Sequence, residues 1–138
     1  MNGAQILDRL SQDAVTFAKC CGVYARDKLP LNVPVDQFCV CNTDIWTKNG
    51  RHWILIYFPP SGPTEFFDPL GEKPNAEFIQ FMGDDYMYST QRYQSTNSTA
   101  CAFYCIFFAY MKCRGIPFQS ITDLFGSERN VIRFVDMI

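Results

Sequence analysis

An uninterrupted apolar run over residues 100–111 constrains the fold of this chain more than any other feature. The run is too short to span a bilayer, which takes about 20 apolar residues in a helix. A helix that is apolar on every side must be surrounded by other elements of the protein. We therefore expect a helix over residues 100–113, buried at the centre of a globular fold.

Several segments before that helix have the composition of β-strands. Trp53–Phe58 and residues 37–41 are rich in β-branched and aromatic residues. Turn residues at 59–63 join Trp53–Phe58 to Thr64–Phe67, which predicts an antiparallel hairpin. A short strand is also predicted at Tyr86–Tyr88.

Helical periodicity and breaker residues outline the rest of the chain. Apolar residues recur with a helical period over residues 5–19, which predicts a helix there. One glycine and two prolines make residues 20–34 a predicted loop. The order of helices and strands indicates one α+β domain over residues 1–138. Further helices are predicted over residues 75–82, 118–125 and Glu128–Met137, and loops over residues 43–51 and 91–99.

Composition and charge disfavour several classes of protein. The formal net charge is -2 and no polybasic run is present, so binding to nucleic acid is not expected. The seven cysteines are an odd number, which argues against a complete disulfide framework. Asp8 and Arg9 interrupt the apolar residues near the start, so no secretory signal is expected. We expect an intracellular protein of a reducing compartment, without a membrane span.

The chain contains one histidine, His52, directly before the strand Trp53–Phe58. Imidazole is the side chain best suited to proton transfer near neutral pH. Asp68 ends the second strand of the predicted hairpin, and the start of one strand lies beside the end of its antiparallel partner. We therefore expect Asp68 to accept a hydrogen bond from His52 and to fix its tautomer. Taken singly, each residue also fits a plain surface turn.

Cys101 stands where the polar stretch 91–99 meets the central helix. A sulfur in the first turn lies at the positive end of the helix dipole, which favours the thiolate, as does a nearby imidazolium. Ser98 or Thr99 is expected to cap the helix. Gln94, seven residues before Cys101, is expected to donate its amide to an oxyanion together with the Cys101 N–H.

The remaining cysteines show no comparable context. Cys105 and Cys113 are expected to pack as inert core residues. Cys39 and Cys41 would need further ligands to bind a metal, and the only histidine is already assigned. We therefore expect no metal site and no other cofactor.

Taken together, these residues resemble the adenovirus-type cysteine protease family, including the small proteases of virus-like Maverick/Polinton elements. The ordered set of HW, FDPLG and a Q-x6-C-x3-C spacing carries the resemblance, which extends from about residue 20 to the end of the chain. The matching stretches are GVYARDKLP at 22–30, CNT at 41–43, GRHW at 50–53, FDPLG at 67–71 and QSTNSTACAFYC at 94–105.

The resemblance implies a papain-like, adenain-like fold in permuted order, with the histidine before the cysteine and a mixed sheet against a central helix. It implies cleavage of viral or virus-like precursor proteins after small residues such as glycine, as in virion maturation. It assigns the triad to His52, Asp68 and Cys101 and the oxyanion site to Gln94. It assigns substrate contacts to Trp53, Gly22 and Asn97.

Two departures from the family pattern bear on function. Ala102 follows the proposed nucleophile where the family usually has glycine. No cysteine stands in the loop that takes an activating peptide in the adenovirus enzyme, so we expect a monomer that is active without peptide or DNA. Two alternatives stay open: a protease of ubiquitin-like modifiers, since SUMO-specific proteases share this chain order, and a catalytically inactive fold that binds proteins.

Overall fold

The computed structural model describes residues 1–44, 52–95 and 98–138. Within these ranges the chain forms six helices and five strands. The strands are β1 Cys20–Ala25, β2 Gln37–Asn42, β3 Trp53–Phe58, β4 Thr64–Phe67 and β5 Tyr86–Tyr88. The helices are α1 Gly3–Leu10, α2 Ala14–Ala18, α3 Ala76–Met82, α4 Cys101–Lys112, α5 Phe118–Leu124 and α6 Glu128–Met137.

The described strands form one mixed sheet in chain order, from β1 to β5. The outer pairs, β1 with β2 and β4 with β5, are parallel, and the inner pairs are antiparallel. The pair of β3 and β4 is the predicted hairpin, with Leu55 opposite Phe67 and Tyr57 opposite Glu65. The predicted α+β class, with a mixed sheet against a central helix, is therefore confirmed.

Alternate residues of β3 pack on opposite faces of this sheet. Trp53 and Leu55 belong to the larger core, which lies on the side of α4. Ile54 and Ile56 belong to a smaller core that includes Phe78 of α3. Because both faces of the sheet are covered, nearly all of β3 is buried, and the strand is an unbroken apolar run.

The central helix lies where the sequence predicts it, one residue shorter at each end. It contacts β3, α1, α2, α5 and α6, and nine of its twelve residues are buried. The predicted cap is wrong, because Ala100 is the N-cap residue and makes no side-chain capping bond. Ser98 Oγ instead accepts a hydrogen bond from the N–H of Ala100, the residue directly before the helix (3.0 Å). Within residues 1–44, 52–95 and 98–138, no helix is long and apolar enough to cross a membrane.

The predicted helix over residues 5–19 is two helices, α1 and α2. Ser11 Oγ donates to a carbonyl of the preceding turn (2.6 Å), and the Asp13 carboxylate accepts from the Thr16 N–H (3.0 Å) and caps α2. Short polar side chains that bond the nearby backbone compete with a continuous helix. Arg114 holds Asp13 through an ion pair of 2.9 Å, a long-range contact that local periodicity does not reveal.

The predicted loop over residues 20–34 is wrong in its first part, which forms the edge strand β1. This strand pairs with β2 in parallel, with Tyr24 opposite Cys41. Gly22 lies at an irregularity of that pairing with φ +150°, and a Cβ there would come within 2.6 Å of the Tyr24 hydroxyl. A glycine inside a strand often marks such a bulge, so its presence does not by itself indicate a loop.

The other predicted elements agree with the structure to within one residue at each end. The predicted loops over residues 43–51 and 91–99 are described only in part, since residues 45–51 and 96–97 lie outside the described ranges.

Phe67 joins β4 to the central helix through aromatic contacts. Its ring stacks on Phe108 of α4, with centroids 4.6 Å apart and planes 11° from parallel. Phe118 and Phe125 lie against the same ring, at 6.1 Å and 5.6 Å. Such pairs contribute about 0.5–1.5 kcal/mol each beyond the burial of their area. Because Phe67 directly precedes Asp68, these contacts also hold the end of β4 in place.

We predict that Phe108→Ala lowers the free energy of unfolding by about 3–5 kcal/mol, since it removes the ring that stacks on Phe67 and leaves a cavity. Urea unfolding followed by circular dichroism measures the change. Leu31→Ala serves as the control, because Leu31 is fully exposed (101%) and its truncation changes the stability by about 0.5 kcal/mol or less. Equal stabilities of the two variants would contradict the proposed role of the stack.

Candidate active site

The hairpin places His52 beside Asp68. Extending the register of β3 and β4 by one pair puts Ile54 opposite Asp68, so His52 lies two positions further on the same face. His52 Nε2 donates a hydrogen bond to Asp68 Oδ1 at 2.6 Å. Both side chains are mostly shielded from water, with 15% and 6% of their surface exposed. The contact that the sequence predicts between them is present.

Asp68 is oriented by the turn that it begins. Its Oδ1 also accepts a hydrogen bond from the Leu70 N–H (2.8 Å), and its backbone carbonyl accepts one from the Gly71 N–H (2.8 Å). An aspartate that bonds the backbone two residues on forms a compact Asx turn. The carboxylate therefore cannot rotate away from His52 without losing the Leu70 bond as well.

Cys101 is the first residue of α4 and belongs to the core on the α4 side of the sheet. Its side chain is hydrogen-bonded with the His52 imidazole. Because Nε2 of His52 is bonded to Asp68, the nitrogen that faces the sulfur is Nδ1. The amino end of a helix stabilises negative charge, which suits a thiolate at this position.

The partners of His52 determine its protonation. Burial by itself lowers the pKa of His52, because it disfavours the charged imidazolium. The hydrogen bonds with Asp68 and Cys101, together with the negative charge of both groups, outweigh burial and raise the pKa of His52 to about 9. The structure therefore favours an imidazolium between a carboxylate and a sulfur at neutral pH.

Gln94 is buried near the beginning of the loop that leads to Cys101. Its Nε2 donates one proton to the Ser98 carbonyl (3.1 Å), and a primary amide carries a second. Its Oε1 meets no hydrogen-bond donor among the residues that the structure describes. The backbone N–H groups of Tyr93 and Gln94 both donate to the Pro69 carbonyl, at 2.8 Å and 3.2 Å. The loop is thereby tied to the turn that holds the carboxylate.

Gly71 allows the Asp68 turn and the Gln94 loop to pack as one unit. It has φ +70°, and a Cβ there would come within 2.5 Å of the Gln91 carbonyl oxygen. Only glycine combines this backbone conformation with so close an approach. The turn motif that contains Gly71 is visible in the sequence, whereas the packing of the Gln94 loop against it is a feature of the tertiary structure.

No family model and no curated protein matches this chain. A crystal structure of the ASFV pS273R protease matches it with a TM-score of 0.70 and 16% sequence identity, over 96% of this chain and 64% of that one. The chain has the fold of this protease. A crystal structure of its selenomethionine form matches with a TM-score of 0.55 and 19% identity, over 72% of this chain and 42% of that one. The chain thus spans less than two thirds of the length of the ASFV protease.

Trp53 points to the α4 side of the sheet, away from the face that carries Asp68. Its indole N–H donates to the Met1 carbonyl (3.0 Å), and its own carbonyl accepts from the Cys105 thiol (3.4 Å). Burial raises the pKa of the Cys105 thiol well above its usual range, as suits an inert packing residue. The predicted contact of Trp53 with a substrate stays a prediction.

The two other predicted substrate contacts lie elsewhere. Gly22 lies on the edge strand β1 opposite Cys39, and β2 separates it from the strand that follows His52. The structure therefore does not place Gly22 beside the imidazole. Asn97 lies outside the described residues. A role of either residue in substrate binding stays a prediction.

Ala102 packs inside the protein. None of its surface is exposed (0%). Its methyl group is part of the larger core, to which Cys101 also belongs.

Among the described residues, no cluster of three or more His, Cys, Asp or Glu side chains is arranged to hold a metal ion. The Cys39 and Cys41 sulfurs lie 3.5 Å apart in the smaller core. The hydrogen bond with Cys41, together with burial, raises the pKa of Cys39 well above its usual range. The Cys39 thiol therefore packs as a neutral group.

The titration of His52 tests the charge arrangement directly, because the only histidine of the chain gives one imidazole signal in an NMR spectrum. We predict a pKa of about 9 in the parent protein. In Asp68→Asn and in Cys101→Ala the pKa of His52 falls towards or below the usual value of about 6.5. Each variant removes a negative partner that raises this pKa, whereas burial, which lowers it, stays. A parent pKa near 6.5 would contradict the proposed imidazolium.

The same titration predicts a dependence of stability on pH. A raised pKa in the folded state stabilises the protein fully below about pH 6.5, and that contribution is lost as the pH rises through about 9. The free energy of unfolding should therefore fall between these pH values in the parent and fall less in Asp68→Asn. Urea unfolding at a series of pH values measures both slopes, and parallel slopes would argue against the assignment.

Gly71→Ala is predicted to destabilise the protein more than Gly62→Ala, by about 1–3 kcal/mol, because it adds a clash with the Gln91 backbone. Gly62 is a matched control: its φ is +88°, and a Cβ there meets no atom within 4 Å. Urea unfolding compares the two variants. If the turn positions Asp68, only Gly71→Ala also shifts the His52 titration.

Proposed function

We propose that this protein is a cysteine endopeptidase in which Cys101 is the nucleophile, His52 the base and Asp68 the residue that orients the base. The observation that carries this proposal is one chain of contacts. Asp68 Oδ1 lies 2.6 Å from His52 Nε2, and His52 is hydrogen-bonded in turn with Cys101 at the first residue of a buried helix. The fold shared with a protease supports the same class of activity.

The reaction is an acyl transfer through a thioester. The Cys101 sulfur attacks the carbonyl carbon of the peptide bond, and the π electron pair of the carbonyl moves onto its oxygen. His52 gives its Nδ1 proton to the leaving amine as the C–N bond breaks. The neutral imidazole then takes a proton from water, whose oxygen attacks the thioester. The sulfur leaves, the carboxylic acid product departs, and the imidazolium and thiolate are restored.

Gln94 and the Cys101 amide are the proposed donors to the oxyanion. The Gln94 amide proton that does not bond Ser98 is suited to this acceptor. The Cys101 N–H belongs to the first turn of α4, where N–H groups point out of the helix. Each preorganised donor of this kind lowers the barrier by about 3–4 kcal/mol.

The proposed substrates are precursor proteins of a virus or virus-like element, cut after small residues of the glycine type. Two observations support this substrate class: the resemblance of the site motifs to adenovirus-type proteases, and the fold shared with the ASFV pS273R protease. We propose that the enzyme acts inside the host cell as a monomer, without an activating peptide or DNA. The net charge of -2 is in keeping with independence from nucleic acid.

Cleavage of a fluorogenic peptide panel with varied residues around glycine tests the proposal. Cys101→Ala should abolish cleavage, and Gln94→Ala should lower kcat by about 10²–10³-fold, because one oxyanion donor is lost. Cys113→Ala is the control, since it removes a thiol that lies against α2 and leaves the site intact. Cleavage by Cys101→Ala at the parent rate would refute the assignment of the nucleophile.

Two further measurements separate the proposal from its alternatives. Labelling of Cys101 by ubiquitin or SUMO vinyl-sulfone probes would favour the alternative in which the substrates are ubiquitin-like modifiers. Iodoacetamide labelling of Cys101 as a function of pH distinguishes an enzyme from an inactive binding module. A reactivity plateau at low pH supports the ion pair, whereas an ordinary thiol titration would support the binding module.

A further inference from the structure

A cavity of about 340 Å³ lies beside His52 on the α3 side of the sheet. Residues at the ends of three strands line this cavity. Arg26 follows β1, Thr43 follows β2 and His52 precedes β3, and the Thr43 N–H donates to the His52 carbonyl at 3.0 Å. Phe66 and Phe78 form an apolar floor, and both are almost fully buried.

The cavity lies on the base side of the site. His52 and Asp68 line it, whereas neither Cys101 nor Gln94 is part of its described lining. In the proposed reaction the acyl half of the substrate is held by Cys101 and Gln94, while the leaving amine takes its proton from His52. On that reaction geometry, the residue after the cleaved bond belongs to the His52 side of the site, which is the side on which this cavity lies.

We propose that this cavity receives the side chain of the residue after the cleaved bond and selects an acidic side chain, glutamate above all. The inference rests on the proposed peptidase function and adds a specificity to it. Arg26 is the residue that determines this specificity.

Charge supports the choice of an acidic side chain. Apart from His52 and Asp68, which compensate each other, the lining carries two cations, Arg26 and Lys73, against one carboxylate, Glu72, while Glu77 pairs with Arg26 from outside the lining. A glutamate side chain offers methylene groups to the phenylalanine floor and a carboxylate to the guanidinium. Arginine binds a carboxylate with two parallel hydrogen bonds, which makes the pairing directional.

Arg26 retains donor capacity for such a ligand. Its Nε is buried, forms no hydrogen bond within the described part of the chain, and is the atom that makes the ion pair with Glu77, so the terminal N–H groups of the guanidinium would bind such a ligand. Glu77 of α3 is its ion-pair partner at 3.4 Å, with about half of the carboxylate side chain exposed to water. A pair of that length and exposure is weak. A substrate carboxylate held inside the cavity can therefore compete with Glu77 for the guanidinium.

The test uses a peptide that the parent enzyme cleaves, with the residue after the cleaved bond varied among Glu, Gln and Lys. The parent enzyme is expected to prefer Glu over Lys by about tenfold or more in kcat/KM, as one charge-assisted hydrogen bond implies. Arg26→Glu should reverse this order. Glu77→Gln should strengthen the preference for Glu, because it removes the competing carboxylate. Arg133→Glu makes the same charge change on an exposed position of α6 and should leave the order unchanged.

The outcomes separate this inference from the proposed function. If no peptide of the panel is cleaved, the peptidase assignment itself fails. If peptides are cleaved but Glu and Lys are accepted equally, the cavity does not select charge and the inference is overturned. A uniform loss of cleavage in Arg26→Glu, with the parent preference retained, would overturn it as well, since that pattern indicates only a structural role.

Discussion

The burial of α4 is the constraint on which the rest of the structure depends. This helix is apolar on nearly every side, so it is stable in water only while β3, α1, α2, α5 and α6 cover it. Burial also fixes the position of its amino end, where Cys101 lies. The ring of Phe67 stacks on Phe108 of the same helix and holds the end of β4. The helix and the hairpin therefore approach each other at the end of the sheet where His52 precedes β3.

The site at this end of the sheet consists of charged groups that are mostly shielded from water. Burial alone disfavours the imidazolium, and the contacts with Asp68 and Cys101 reverse that preference. Each partner has its own support, since the Leu70 N–H fixes the carboxylate and the helix fixes the sulfur. The Pro69 carbonyl joins the Asp68 turn to the loop that contains Gln94, so Asp68 and Gln94 are held beside His52 by one hydrogen-bonded piece of backbone.

Much of this arrangement could be predicted where the signal was local. The hairpin follows from two apolar strands around a turn rich in proline, and its antiparallel register by itself brings His52 next to Asp68. Two elements could not be read in this way. The edge strand β1 contains Gly22 and exists because β2 offers it hydrogen bonds, and Asp13, which caps α2 after the break from α1, is paired with Arg114, 101 residues away. Local composition does not reveal contacts between residues that lie so far apart in the chain.

The residue pattern alone predicts a buried helix that begins near Cys101, a hairpin that joins His52 to Asp68, and an α+β fold. These features depend on periodicity and turn chemistry, which act between neighbours in the chain. Three features required the packed fold: Nε2 of His52 bonds Asp68 and leaves Nδ1 for the sulfur, the Trp53 indole bonds the Met1 carbonyl, and Arg26 lines a cavity beside the imidazole. These features depend on the packing of separate strand ends and loops against one another, because distance and burial set the charge and direction of each side chain.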